Sequence, residues 1–241
     1  MEPRLDTSWD RSADLERIRT TYAGYARDQR ERLWNRRSAG YARLADEVDR
    51  ALFGNLDAAV EGRARPTVID LGCGNGELAG VGGPLAGRWI GVDLRNDAVI
   101  AARAAYPAAE FIEASADAVP LEDASVDVVV ARVLFSSLPS RQLERAVAAE
   151  IGRLLRPGGW LVWLDIRYSN PTNRAVHGLP EGVISDLFGG WERVLTTIGV
   201  LPPIARRLGP LTPIAYPLLA ALPPLRSHVA GRLRRPPDAA G

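Results

Sequence analysis

The sequence predicts an α/β domain built on a seven-stranded, mostly parallel sheet with helices on both faces. Three observations carry that expectation. Short, nearly continuous apolar runs recur at residues 67–71, 89–93, 110–112, 126–130 and 160–166, as strands buried on both faces require. Stretches with apolar residues at helical spacing alternate with them. The first run, Val68-Ile69-Asp70-Leu71, leads directly into Gly72-Cys73-Gly74-Asn75-Gly76, a strand-to-turn junction rich in glycine.

The elements follow in order. Residues 11–60 read as two helical pieces, one with Leu15, Ile18, Tyr22, Tyr25 and Gln29 on a stripe and one with Tyr41, Leu44, Ala45, Val48 and Leu52. Together they predict an N-terminal helical cover over 1–62, ahead of a main domain over 63–241. The clearest later helix starts at Ser140 as N-cap, carries Leu143, Ala146, Val147, Ile151 and Leu154 inward, and is stopped by Pro157 and Gly158. A polar segment at 167–177, a short helix near 182–188 and a strand at 193–200 come next. Residues 201–225, rich in Pro and Leu, form an insertion before a last strand at 227–233. That insertion is expected to be a lid over an acceptor pocket, with a shallow membrane-surface element as the alternative. Arg206 and Arg207 are few for membrane binding. Residues 236–241 read as disordered.

Composition narrows the function. The chain has 241 residues, 46% of them hydrophobic, enough for one full core. Its 30 basic residues, all arginine, nearly cancel 29 acidic ones for a net charge of +1, which gives no electrostatic case for nucleic acid. Cys73 is the lone cysteine, so there is no disulfide framework, and no Cys/His cluster has metal-ligand spacing. The first ten residues are polar where a signal peptide needs an apolar run, and prolines interrupt the longest uncharged stretch, 209–225; the expectation is a cytoplasmic chain with no integral span. Oligomeric state is not legible.

The glycines after Asp70 let the backbone turn tightly and approach a ligand without Cβ interference. Trp89-Ile90-Gly91-Val92-Asp93 then ends in a carboxylate where open α/β sheets hold ribose hydroxyls, although Asp93 could equally cap the helix that follows. A nicotinamide enzyme needs a third glycine three positions beyond the second for close approach of pyrophosphate, and Glu77 stands there. Cys73 has no activating neighbour in sequence and is not read as a nucleophile.

With these motifs in order over roughly residues 60–170, the chain resembles the class I, Rossmann-like methyltransferases of the ubiquinone and menaquinone type. The resemblance implies S-adenosyl-L-methionine as cofactor. It implies that Asp70, Gly72, Cys73 and Gly74 surround the methionine part and that Asp93 binds the ribose. It also implies that in Ala114-Ser115-Ala116-Asp117-Ala118-Val119-Pro120-Leu121 the adenine meets Asp117 through its amine and Ala118 through its backbone. Leu94 and Arg132 join the expected cofactor contacts, and Tyr22 on the first helix would close over the methionine end. Leu154-Leu155-Arg156-Pro157-Gly158-Gly159 matches the turn into the fifth strand.

The acceptor side is less determined. Where the family often carries two histidines, this chain has Val133-Leu134-Phe135-Ser136-Ser137-Leu138-Pro139. Asp165-Ile166-Arg167-Tyr168-Ser169-Asn170-Pro171-Thr172-Asn173 closes the fifth strand at the edge where such sheets bind ligands. It resembles segments of bacterial methyltransferases associated with glycan and natural-product clusters. Arg167, Tyr168 and Asn170 are the substrate-binding candidates, against a plainer pairing of Asp165 with Arg167 and an Asn-Pro turn. His177 and Asp165 are the candidate bases, and His228 reads as structural. The expected reaction is methylation of a small molecule, preferably at oxygen, with N- or C-methylation, a nicotinamide oxidoreductase and a non-catalytic binding module as alternatives.

Overall fold

A computed structural model of the chain describes residues 9–23, 38–169 and 176–237. Seven strands form one sheet: β1 (Thr67–Leu71), β2 (Arg88–Asp93), β3 (Glu110–Glu113), β4 (Val126–Arg132), β5 (Leu155–Ile166), β6 (Glu192–Val200) and β7 (Arg226–Arg234). Their order is β3-β2-β1-β4-β5-β7-β6, and only β7 runs against its neighbours. Each expected strand forms, with ends shifted by a few residues. β5 begins earlier than residue 160: the helix before it ends at Leu154, and Pro157 and Gly158 lie inside the strand, where the β4 register is irregular. Regular pairing with β4 starts at Trp160 opposite Val128.

The helices are α1 (Arg11–Ala23), α2 (Ala39–Val60), α3 (Glu77–Gly82), α4 (Asn96–Ala105), α5 (Arg141–Leu154), α6 (Glu181–Leu187), α7 (Pro202–Ala205) and α8 (Thr212–Ala220). Ser140 caps α5 as expected, its Oγ accepting from the Leu143 amide at 3.2 Å. Behind that cap Leu143, Val147, Ile151 and Leu154 are each at most 1% exposed. Burying such a side chain stabilises by about 1.5–3 kcal/mol, which outweighs helix propensity in placing α5.

Alternate residues of each central strand supply two cores. Ile69, Leu71, Val129 and Ala131 pack on one side with Leu15 of α1 and the inner face of α5; Val68, Val128 and Val130 pack on the other with α2, α3 and α4. The two N-terminal helices therefore lie on opposite faces of the sheet. Helical periodicity reports which stripe is apolar, and it is silent on which face of the sheet receives it. Between β1 and β4 the strand order changes direction, and ligands bind outside the carboxyl ends of strands at such a point in open α/β sheets.

Candidate functional site

A cavity of about 160 Å³ opens at that edge. Its wall is assembled from five places: Ile18 and Tyr22 of α1, Gly72 and Gly74 after β1, Val92 to Arg95 at the end of β2, Ala114 to Ala116 after β3, and Val133, Leu134, Ser137 and Leu138 after β4, backed by Leu143 and Val147 of α5.

Gly72, Gly74 and Gly76 all have positive φ, at 75°, 54° and 77°. This left-handed backbone is cheap only for glycine, and it lets Gly72 and Cys73 donate their amides to the Val92 carbonyl at 2.8 and 2.9 Å. The loop is thus tied back to β2. Asp93 completes the tie: Oδ2 accepts from the Gly74 amide at 2.8 Å and Oδ1 from the Arg95 amide at 2.9 Å. Arg95, not Asp93, is the N-cap of α4, so Asp93 steadies the entry to that helix without being its cap.

Asp70 is the buried charge of the site. Its carboxyl is pushed up to about 7, first by burial, with Arg132 pulling it down and Asp93 adding to the rise. Oδ2 is buried without a hydrogen-bond partner among the described residues. Arg132 therefore acts here through its charge on Asp70, and Leu94 lies in the wall. Cys73 turns its side chain into the core on the α2 face, and burial followed by the charges of Asp70 and Asp93 pushes its thiol far up. A thiol held in that form is a poor nucleophile.

The expected adenine loop is already occupied. Arg11 grips Asp117 with two hydrogen bonds, Nε to Oδ2 at 2.5 Å and Nη2 to Oδ1 at 2.9 Å. Burial works to raise the Asp117 carboxyl, and the bonds from Arg11 and Ser115 overcome it, holding the group below its ordinary value. The Ala118 amide is also spoken for, donating to the Ser115 carbonyl at 3.0 Å. Arg95 Nη1 donates to the Tyr22 carbonyl at 3.1 Å, and Asp14 accepts from Ser140, so α1 is fastened to three parts of the cavity rim. Arg11 gave no signal in sequence because its partner is 106 residues away.

Val133 was also missed. It is β-branched with φ of 53°, held there while its amide donates to the Leu164 carbonyl at 2.7 Å. A non-glycine residue in that region costs about 1–3 kcal/mol, and such strain gathers at functional sites.

Next to this wall lies an ionisable cluster. The His177 amide donates to the Ser136 carbonyl at 2.9 Å, and His177 Nε2 lies 2.9 Å from Glu144 Oε1. Glu144 is buried, and its other oxygen takes Arg141 Nη1 at 2.7 Å. A carboxylate oxygen accepts, so Nε2 is the donor in this contact, which in a neutral imidazole leaves the lone pair on Nδ1. Asp165, also buried, accepts from the Ser136 amide at 3.1 Å and the Ile166 amide at 2.8 Å. Its carboxyl is pushed up to about 6 by burial, with those donors and the charge of His177 opposing. Ser136 thus links the two candidate bases, its carbonyl taking the His177 amide and its amide donating to Asp165, and Glu144 in the first turn of α5, which the sequence analysis did not single out, joins them through His177.

Other expected residues are used differently. Asp165 makes no ion pair with Arg167 among the described residues. Arg167 Nη1 donates to the Pro223 and Arg226 carbonyls, both at 2.9 Å, and Tyr168 donates its hydroxyl to the Pro224 carbonyl at 3.1 Å. Both side chains anchor the turn before β7. Asn170, with Pro171, Thr172 and Asn173, lies outside the described residues, as do Tyr25 and Gln29. Residues 201–225 contribute nothing to the cavity wall; they pack against α2 and β6. His228 is structural: it is buried, Nδ1 lies 2.8 Å from Ser227 Oγ, and burial lowers it to about 4. No group of His, Cys, Asp and Glu able to hold a metal ion occurs among the described residues.

A glycine loop at the switch point, a carboxylate ending β2 and an antiparallel β7 inserted between β5 and β6 define the class I, Rossmann-like methyltransferase fold. Residues 69–163 match the family described as "Methyltransferase domain". The demethylmenaquinone methyltransferase of Chlorobaculum tepidum is 34% identical over 101 residues, 42% of this chain and 40% of that protein. The chain spans well under two thirds of the first curated relatives it matches. Among solved structures, the N-methyltransferase NodS of Bradyrhizobium japonicum in complex with S-adenosyl-L-homocysteine superposes with a TM-score of 0.64 at 15% identity, covering 91% of this chain and 98% of that one. The 1,6-didemethyltoxoflavin-N1-methyltransferase of Burkholderia thailandensis does so with a TM-score of 0.62 at 14% identity, covering 98% and 93%. At those identities the likeness is one of fold.

Proposed function

We propose that the chain binds S-adenosyl-L-methionine in this cavity and directs methyl transfer to a small molecule, with a hydroxyl as acceptor. The observation that carries the reading is Asp70 Oδ2, a buried carboxylate oxygen with no hydrogen-bond partner among the described residues, two residues before Gly72 of the loop that lines the cavity. Leaving such an atom unpaired costs about 1–3 kcal/mol, and a ligand ammonium at that point relieves it. The remaining residues suit the rest of the cofactor. Each Asp93 oxygen accepts one amide and keeps capacity for a ribose hydroxyl, and Ala114 to Ala116 offer an apolar slot for a purine.

When bound, the cofactor supplies an electrophilic methyl group on a sulfonium. The chain's work is to align the acceptor and keep water out. Ile18 and Tyr22 cover one side of the cavity, and Val133, Leu134 and Leu138 line the other. A hydroxyl acceptor must also lose a proton. Glu144 fixes the His177 ring so that Nδ1 takes that proton. Glu77, exposed at the first position of α3, weighs against a pyrophosphate there and so against the nicotinamide reading.

The test is formation of S-adenosyl-L-homocysteine with panels of phenols, sugar hydroxyls and amines, in the parent chain and in His177→Ala. The expected result is turnover on a hydroxyl that falls at least ~10²-fold in the variant, with cofactor affinity unchanged. Turnover on amines alone, or full turnover in His177→Ala, contradicts the hydroxyl assignment. Cofactor binding without product on any panel favours a non-catalytic module.

A further inference from the structure

Residues 208–225 are turned inside out for a protein surface in water. Thr212 and Tyr216 are the only residues with polar side chains in that stretch, and both are buried. Tyr216 donates its hydroxyl to Glu47 Oε2 at 2.7 Å and accepts from the Val200 amide at 3.3 Å; Thr212 Oγ1 donates to the Gly209 carbonyl at 2.8 Å. The outward side carries Leu211, Ile214, Leu218 and Leu222, exposed by 65, 72, 67 and 51%. Ile214 and Leu218, four residues apart, share one side of α8, Leu211 and Leu222 flank it in the turns at either end, and exposed prolines lie between them. A helix on a soluble domain does the opposite, and a contiguous apolar stripe facing outward marks a contact with something apolar.

Charge selects the contact. Between Glu192 and Asp238 the sequence holds seven arginines and no acidic residue, and three of them, Arg206, Arg207 and Arg226, lie at the end of β6 and β7 from which residues 201–225 leave the sheet. Arg206 and Arg207 are exposed where the apolar stripe begins. A partner that offers hydrocarbon beside negative charge matches both features, and a lipid surface does so over a patch of this shape. Among the described residues no helix is long and apolar enough to cross a membrane, so the contact is peripheral. The placement also has a direction. β6 runs parallel to β5, so residues 201–225 leave the sheet at the edge where the cavity opens.

We propose that α8 and its flanking turns dock on a bilayer bearing anionic headgroups, with Ile214 and Leu218 entering the interface and Arg206 and Arg207 meeting the phosphates. The face is held ready by packing on α2 through Ala205 and Tyr216, so it exists before any lipid is met.

Flotation with vesicles of phosphatidylcholine plus phosphatidylglycerol, against phosphatidylcholine alone, tests this on the full chain. Binding to the mixed vesicles that weakens with added salt is expected. Ile214→Asp with Leu218→Asp should lower it at least ~10-fold without changing the unfolding temperature, because both side chains are exposed. Absence of flotation in the parent chain overturns the proposal, as does equal flotation of the double variant. A dimer in sedimentation that the double variant abolishes, with no lipid binding, also overturns it and gives the stripe to a second copy.

Discussion

Asp70 shows how one side chain sets a pH dependence. It sits one residue before the end of β1, paired on one side with Gly91 and on the other with Val130, and is buried. Its folded-state value of about 7 lies above the ordinary 3.8, so the neutral form is the one favoured by folding. The stability this gives is complete below about pH 4 and is lost as pH rises through about 7. Asp165 loses its share in the same direction through about 6, while His228, lowered to about 4, works the opposite way between its ordinary 6.5 and that value. The Asp70 contribution is therefore read as a difference between the parent chain and Asp70→Asn. Going from pH 5 to 8, the parent should lose roughly 2–3 kcal/mol more than the variant in ligand-free unfolding experiments. A parallel pH dependence in the two proteins would show that Asp70 titrates as it does in water.

At the scale of elements, α1 is the part that moves the account beyond the sequence. Its inward residues Leu15 and Ile18 were legible from spacing, whereas its role depended on Arg11, Asp14 and the Tyr22 carbonyl, whose partners are far away in the chain. The central strands β1, β2, β4 and β5 were legible because burial on both faces leaves them little freedom to be polar. The glycine loop and Asp93 were legible because a close backbone approach and a strand-end carboxylate each demand particular residue types. Glu144, Val133 and the packing of α8 were not, since burial of an acid, a strained φ and an outward apolar face are decided by tertiary neighbours. The grip of Arg11 on Asp117 predicts a gate. Arg11 is 42% exposed on its side chain, so the pair is worth at most about 1 kcal/mol after solvent screening. Arg11→Ala should therefore raise both the association and dissociation rates of S-adenosyl-L-homocysteine by up to ~5-fold, measured by stopped-flow fluorescence. Unchanged rates would mean that α1 does not open for the ligand.

For the whole molecule, the sheet brings three kinds of chemistry to one edge. β1 and β2 end in the carboxylates and glycines of the proposed cofactor site, β4 and β5 end beside Glu144, His177 and Asp165, and β6 leads into the apolar surface of α8. Cofactor binding is the premise on which the catalytic reading rests, and Asp93 is the residue that both ties the glycine loop and is assigned the ribose. The most direct measurement is the dissociation constant of S-adenosyl-L-homocysteine by titration calorimetry in the parent chain and in Asp93→Ala, with folding checked by thermal unfolding. Measurable binding is expected in the parent, with a loss of roughly 1.5–3 kcal/mol in the variant, about 10- to 150-fold. No binding in the parent, or an unchanged dissociation constant in a folded Asp93→Ala, would contradict the proposed cofactor site.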